Sequence, residues 1–501
     1  MFWQLLLISV ATWIFYYRWQ RRRLYKIAKA IPSGVQSYPV VGHAYLLSGN
    51  DEDRMRGLQI FGRKAIENGG LSTLWMMNTL YVNVADPRAA ETIAKACVQK
   101  DENTVKFIRT VIGNGSIFAR VHIWRPRRKI LAPIFSLKNM HQFVPVFNKQ
   151  SVIMTKLLAP MAETGDFSIW KYITTYTFDA VCETTLDIQM NAQSKPHVPF
   201  LTAFDSLLGL VAQRCSTPWL YPDFVYKNLA YYKQFVEARQ LVWDFMDEVV
   251  QRKRREQKTR EQEGKEASGM RTFLDMMIER SGKGDKGYTD LELREEAMVI
   301  IFAGTDTSAV GAAFTTVMLS RYPEVQEKVY QELQDVFGNS ERPVTAEDLP
   351  NLKYLEVVIK ECLRLYTPVP IITKEIEEDV QLHTGDTLVY GTKIVINIWG
   401  LHRNPRYWGE DAEQFRPERF LEAPLVHPSQ YQPFSQFARN CLGLNYAMNS
   451  MKTVIANLCR RYKILPPQNM DPMKLKEPLP LKYSIMMKHV DDYVVRLVKR
   501  G

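Results

Sequence analysis

The sequence predicts a mainly α-helical protein with small β-sheets, on three observations. Residues 297–319 carry almost no charge and run far too long for a strand. The preceding Thr289-Asp290-Leu291-Glu292 has capping-box spacing, so a long buried helix is expected there. After residue 441, Leu444, Ala447, Met451, Ile455 and Leu458 recur at helical spacing through about Arg461. Strand signals are confined to residues 71–83, 388–398 and a stretch near the C-terminus. Length alone, 501 residues, corresponds to about three domains. Yet the chain has no low-complexity linker and no internal repeat.

Taken in order, residues 2–17 are uncharged and include Leu5-Leu6-Leu7-Ile8; Arg18, Arg21, Arg22 and Arg23 follow. As a helix this run reaches about 24 Å, slightly short of a bilayer core. Trp13, Tyr16, Tyr17 and Trp19 are suited to a membrane interface. Basic residues after the apolar run place the body of the protein in the cytosol. A cleaved signal peptide, with Ser9-Val10-Ala11 as cleavage site, is the rival; it calls for basic residues before the run instead. The expected organisation is a membrane anchor at 1–20, a basic and Pro/Gly hinge at 21–45 and one cytosolic domain at 46–501. Pro32, Gly34, Pro39 and Gly42 lie in the hinge.

Trp124 and Arg128 are four residues apart, so on a helix both can face one anion. A solvated basic run, with Pro126 in a first helical turn, is the plainer alternative. Residues 251–265 and 281–287 are charged or Gly/Lys-rich and read as surface loops and helix ends. Inside the apolar helix stands Ala303-Gly304-Thr305-Asp306-Thr307-Ser308. A carboxylate and hydroxyls there are costly unless they serve something. Gly304 permits close approach of a flat ligand. Thr hydroxyls can bond back to the i−4 carbonyl and distort the helix. The plainer alternative is a kinked core helix with a satisfied polar pair.

Glu361 and Arg364 sit at i, i+3 on a helix over 352–366, stopped by Thr367-Pro368. Exposed, such a pair contributes only about 0.3–0.5 kcal/mol. Last comes the run 433–443, which contains Phe434, Arg439, Cys441 and Gly443. Cys441 lies at a helix N-terminus, where orphan N–H groups favour an anion. Gly443 lets the backbone approach a flat macrocycle, and Arg439 is within reach of a carboxylate on it. The run reads as a haem-ligand loop with Cys441 as thiolate ligand to iron; a buried structural cysteine is the alternative.

These motifs, in this order, resemble the cytochrome P-450 family, and in particular animal microsomal members of its family-4 clan, of insect type. The family's ligand pattern, Phe-x-x-Gly-x-Arg-x-Cys-x-Gly, is met at Phe434, Arg439, Cys441 and Gly443; Phe437 stands where the family has Gly. The resemblance implies a cytochrome P-450 fold behind an N-terminal transmembrane helix and non-covalent haem b. It implies that Trp124, Arg128, Arg439 and Lys374 hold haem propionates, with Lys374 where the family has Arg and so without the bidentate fork. It places Ala303 and Gly304 beside haem; family-4 relatives that bind haem covalently have Glu where Ala303 stands. It assigns proton delivery to Asp306 and Thr307. Glu361, Arg364 and Arg419 form a structural cluster in it. Val369 to Lys374 becomes a strand lining the active site.

Net charge is +11, compatible with nucleic acid, anionic lipid or an acidic protein. No nucleic-acid module is visible. Gly113-Asn114-Gly115 is a partial dinucleotide fingerprint with Phe118 at the third glycine position, and no flavin or nicotinamide site appears elsewhere. Electrons therefore come from outside; the resemblance implies an NADPH-dependent flavoprotein reductase, with cytochrome b5 as a further partner. Six cysteines without a Cys-x-x-Cys pair fit a reducing, cytosol-facing compartment. The resemblance implies an endoplasmic reticulum membrane location and a monomer. The expected activity is a haem-thiolate monooxygenase acting on a lipophilic small molecule, with pocket walls near 107–118, 207–215, 300–307 and 369–372. Two alternatives stay open: a reductase-independent isomerase or dehydratase on the same scaffold, and a non-catalytic haem or lipid binder.

Overall fold

The computed structural model describes residues 2–195, 197–263, 269–281 and 287–500. Of the two charged stretches expected as surface loops and helix ends, 264–268 and 282–286 lie outside the described residues. Residues 251–262 prove to be the last turns of a 33-residue helix, Ala230–Gln262. The run Arg252 to Arg255 continues that helix because Lys253 turns inward, to Asp187 at 3.0 Å and Asp275 at 3.4 Å.

The long helix spans Asp290–Arg321 and is called the central helix below. Thr289 accepts from the Glu292 N–H while Glu292 accepts from the Thr289 N–H, so both halves of the capping box form. Helices Trp170–Leu186, Lys353–Leu365 and Leu444–Arg461 pack around it. One extensive apolar core runs through these helices, and Phe314, Ala312 and Ala313 of the central helix are wholly buried in it.

The largest sheet has four strands in the order Leu71–Met76, Thr79–Val84, Lys393–Asn397, Ile371–Glu375. Its pairing is antiparallel at both edges and parallel at the centre, where Val82 faces Ile394. A second core lies against this sheet, and Ile27 and Ile31 join it. They belong to the basic segment, which forms the helix Arg22–Ala30. Two short hairpins and a three-stranded sheet complete the β-structure, with Leu481–Tyr483, Met487–His489 and Val494–Lys499 near the C-terminus.

Phe2–Gln20 is one helix with no buried residue. Its 19 residues reach about 28 Å. Among the described residues, however, only the central helix is both long and apolar enough to cross a membrane, and 72% of its apolar window is buried in the protein. Gln4, Arg18, Tyr16 and Tyr17 dilute the apolar character of the N-terminal helix.

Candidate active site

Cys441 closes a tight loop whose bend needs two left-handed residues. The Cys441 N–H donates to the Phe434 carbonyl at 2.8 Å. Ser435 and Phe437 take φ of 56° and 59°. Phe437 thus adopts the conformation that glycine reaches freely, at a strain of roughly 1–2 kcal/mol. Lys95 Nζ lies 5.1 Å from the centre of its ring, a cation–π contact that offsets part of this. Gly443 caps the helix Leu444–Arg461. A Cβ there would sit 3.8 Å from Cys441 Sγ, so its absence clears space beside the sulfur. Cys441 keeps accessible surface. Surrounding protein pushes its thiol up, while the Gly443 N–H and the Arg128 charge oppose that rise. The helix terminus does not by itself secure a thiolate; coordination to a metal deprotonates a thiol outright.

The loop is tied down by cations that reach carbonyl oxygens. Arg128, on the helix Val121–Leu131, donates to both the backbone carbonyl and the side-chain oxygen of Asn440, the former at 2.8 Å. Pro126 lies in the interior of that helix. Arg439 donates to the carbonyls of Val98, Ser116 and Ala119 at 3.0–3.1 Å. Its guanidinium also lies 4.1 Å from the centre of the buried Trp124 ring. Lys374 is buried and donates to the Cys97 carbonyl at 2.6 Å. Lys100 stands beside them. Burial, and then the Arg439 and Lys374 charges, pull its ammonium down to about 7. Burial followed by Arg128 lowers Arg439 to about 10. Burial also lowers Lys374, with Arg439 adding to it and Cys97 opposing. Among the described residues no carboxylate forms an ion pair with Lys100, Arg128, Lys374 or Arg439.

Accessible surface survives along one stripe of the central helix: Ile300, Ala303, Gly304 and Thr307, at i, i+3, i+4 and i+7. Ile301, Phe302, Thr305 and Ser308 between them are buried. Thr307 Oγ1 donates to the Ala303 carbonyl at 2.5 Å, the i−4 back-bond expected of threonine. Asp306 meets Lys488, on the hairpin strand Met487–His489, at 3.4 Å. Lys488 Nζ is in turn 4.8 Å from the Trp170 ring centre. Gly304, which keeps accessible surface, also packs against a neighbouring helix. A Cβ there would meet Val181 of the helix Trp170–Leu186 at 3.0 Å, so the missing side chain lets two helices approach.

Sequence reasoning missed Arg127, one of the three residues between Trp124 and Arg128. It is buried and reaches Glu295 at 3.0 Å, Glu296 at 3.1 Å and Glu292 at 3.1 Å. Ser116 N–H donates to Glu296, and Asn114 N–H to Glu295. Residues 113–119 are thereby clamped to the start of the central helix, and the same stretch supplies two of the Arg439 acceptors. Gly113 serves this clamp rather than a dinucleotide: at φ 65° a Cβ would fall 2.3 Å from Glu295. The available signal was three glutamates at the mouth of an otherwise apolar helix, which demand a cation. Lys488 and Lys100 carried no local signal.

Glu361 and Arg364 pair through two bonds of 2.7 and 2.8 Å, both wholly buried. Arg419 reaches the same carboxylate at 3.0 Å, and Arg364 also donates to the carbonyls of His402 and Ala412.

A family model described as Cytochrome P450 matches residues 32–494. The chain belongs to the cytochrome P450 family. Cytochrome P450 4d2 of Drosophila melanogaster is 31% identical over 92% of this chain and 93% of its own length. Cytochrome P450 4V2 of Homo sapiens is 31% identical over 93% and 89%. Cytochrome P450 4c21 of Blattella germanica is 30% identical over 91% of each. As a P450 the protein is a haem-thiolate monooxygenase that binds haem b non-covalently. The residues present suit that group: an accessible cysteine thiol, an accessible stripe on the central helix, and converging cations that form no ion pair among the described residues fit a flat metal complex bearing two carboxylates.

Proposed function

We propose that Cys441 would hold the haem iron as its thiolate ligand and that this P450 oxidises a lipophilic small molecule with electrons from an NADPH-dependent flavoprotein reductase. The observation that carries this is the pairing of an accessible thiol at a helix start with the accessible Ala303–Thr307 stripe of the central helix. When bound, thiolate-ligated haem iron supplies reductive cleavage of dioxygen. Phe434 and Gly443 shape the ligand loop. Trp124, Arg128, Arg439 and Lys374 hold the propionate side, Trp124 by supporting the Arg439 plane. Glu361, Arg364 and Arg419 brace the segment that leads to the loop. Ala303, lacking a carboxylate, leaves the cofactor non-covalent.

Thr307 and Asp306 move protons. Thr307 Oγ1 holds its proton toward the Ala303 carbonyl, which leaves the oxygen lone pairs free to accept one. Asp306 is kept at the helix surface by Lys488 and must leave that contact to pass a proton onward. Helices and aromatic side chains exclude bulk water: Phe118 lies 6.2 Å from Phe302, and Phe204 lies 6.3 Å from it. An apolar wall of this kind favours a lipophilic substrate.

The exposed, aromatic N-terminal helix, with arginines on its C-terminal side, supports an anchor at 1–20 in the endoplasmic reticulum membrane, a joining segment at 21–45 and a cytosolic domain at 46–501. The domain works as a monomer, and cytochrome b5 is a second electron donor. A carbon monoxide difference spectrum of the reduced protein tests the ligand; absence of the red-shifted thiolate band sinks the assignment. Product formation that needs the reductase tests the partner. Turnover of a peroxide without reductase would instead support the isomerase reading. Substrate-induced shifts of the haem spectrum, across fatty acids, steroids, terpenoids and xenobiotics, identify the substrate class.

A further inference from the structure

We propose that Asp205 is a specificity-determining residue of the substrate cavity, whose carboxylate receives the protonated amine of a lipophilic substrate; this rests on the haem-thiolate reading above. Asp205 lies on the helix Pro199–Ser216. Its neighbour Phe204 is 6.3 Å from Phe302, which stands one turn before Asp306 on the central helix. Asp205 is thereby brought within the field of Asp306 and of Lys488. It keeps accessible surface, yet protein surrounds it closely: burial, with Asp306 adding and Lys488 opposing, pushes its carboxyl up to about 6. The two facts agree for a group that faces an internal cavity, and Cys441 shows the same combination.

The charges in this part of the cavity do not balance. The charged groups that face Asp205 are Asp306 of the central helix and Lys488 of the hairpin. Lys488 is engaged elsewhere: its ammonium holds Asp306 at 3.4 Å and lies 4.8 Å from the centre of the Trp170 ring. Asp205 has neither a hydrogen bond nor an ion pair among the described residues. Two carboxylates and one ammonium leave one negative charge. It stands beside the aromatic series Phe200, Phe204 and Phe302, whose ring centres follow one another at 6.0 and 6.3 Å. A carboxylate against apolar walls is unfavourable unless a donor joins it. The occupant that answers both features is a cation with an apolar body. Its ammonium takes the free carboxylate in a charge-assisted bond, and its body fills the apolar wall. A substrate ending in a carboxylate would instead meet Asp205 and Asp306 as like charges. A hydroxyl would supply a hydrogen bond without restoring the charge.

The full-length holoprotein is compared with Asp205→Asn and Asp205→Glu. Each is titrated with N,N-dimethyldodecylamine, N,N-dimethyldodecanamide and laurate, and a shift of the haem band toward shorter wavelength is read as binding. The native protein should bind the amine most tightly and laurate most weakly. Asp205→Asn should weaken the amine about tenfold, the scale of one charge-assisted hydrogen bond, and leave the amide unchanged; Asp205→Glu should keep the preference for the amine. In the native protein the amine should also bind about tenfold more weakly at pH 5 than at pH 7, because one unit below 6 leaves about a tenth of Asp205 ionised. The amide should not respond. Equal amine binding by native protein and Asp205→Asn overturns the proposal. Equal binding together with slower product formation in Asp205→Asn overturns it in favour of a proton carrier to Asp306. A band shift toward longer wavelength, which marks nitrogen on iron, puts the amine at the haem and also overturns it. Where Asp205→Asn yields no folded holoprotein, the native pH series decides, and a pH-independent amine affinity overturns the proposal. Native protein without a haem-thiolate carbon monoxide band overturns instead the reading on which the proposal stands.

Discussion

Two ionic groups of the protein, one buried and one half-buried, are built on opposite plans. The Glu361 group is closed. Its carboxylate is answered by Arg364 and Arg419, Arg419 also meets Asp411 at 3.1 Å, and the remaining N–H groups find carbonyls. The group of Lys100, Arg128, Lys374 and Arg439 is open: four cations converge, none with an acidic partner among the described residues. A closed group stabilises a fold by itself. An open one is a binding surface, and its charge is balanced only by what it binds. The contrast separates framework from function without reference to any motif.

The largest effect is expected at the open group's centre. Cys441→Ser should eliminate the red-shifted carbon monoxide band altogether while far-UV circular dichroism stays native; a retained band would move the ligand elsewhere. Next, breaking the closed group should act on folding. Glu361→Gln leaves Arg364 and Arg419 buried without their anion, at about 3–5 kcal/mol. Denaturant melts of purified protein, or failure to accumulate folded protein, read this; a loss under 1 kcal/mol would mean the group is not closed as described.

The closed group also has a pH signature. His402 lies beside it, with Nε2 accepting from the Gln432 N–H, so Nδ1 carries the proton toward the Arg364 carbonyl. Burial pushes its pKa from 6.5 down to about 3. The unfolded chain therefore binds a proton that the folded chain refuses, and stability falls as pH drops from about 6.5 toward about 3. Denaturant melts across that range, with His402→Gln as the reference, should show the native protein losing stability more steeply.

Smaller effects belong to the helix opposite. Asp306→Asn should lower product formation by about 10²-fold while haem content and substrate-binding spectra stay native. The smallest effect is at Phe437. Phe437→Ala keeps the left-handed backbone and loses the ring over Lys95. Phe437→Gly relieves the backbone, so its thermal midpoint should exceed that of Phe437→Ala by an amount equal to about 1 kcal/mol.

Local features were legible in the sequence. The Thr289/Glu292 capping box, the helix after Gly443 and the Thr307 back-bond depend on residues within four positions of one another. The mainly helical fold and the strand stretches followed from periodicity in the same way. Other features depend on distant partners. Residues 251–262 read by charge as surface loop and helix end; how far the helix runs depends on Lys253, which is buried and pairs with the exposed Asp187 and the buried Asp275. Gly304 reads as space for a ligand, and its closeness to Val181 comes from a helix over a hundred residues earlier in the chain. Lys100 has no pattern at all, because its significance lies in Lys374 and Arg439, some 270 and 340 residues on.

The order of the site's residues along the chain has a consequence for biosynthesis. Lys100, Trp124, Arg128, Asp306, Glu361 and Lys374 all leave the ribosome before Cys441, and Arg419 precedes it by only 22 positions. The nascent polypeptide can form its long helices early, but neither ionic group is complete until the closing stretch appears. Cofactor capture is thereby a late, post-assembly event. Cells short of haem should accumulate a nearly finished chain whose four cations repel one another, a natural substrate for quality control.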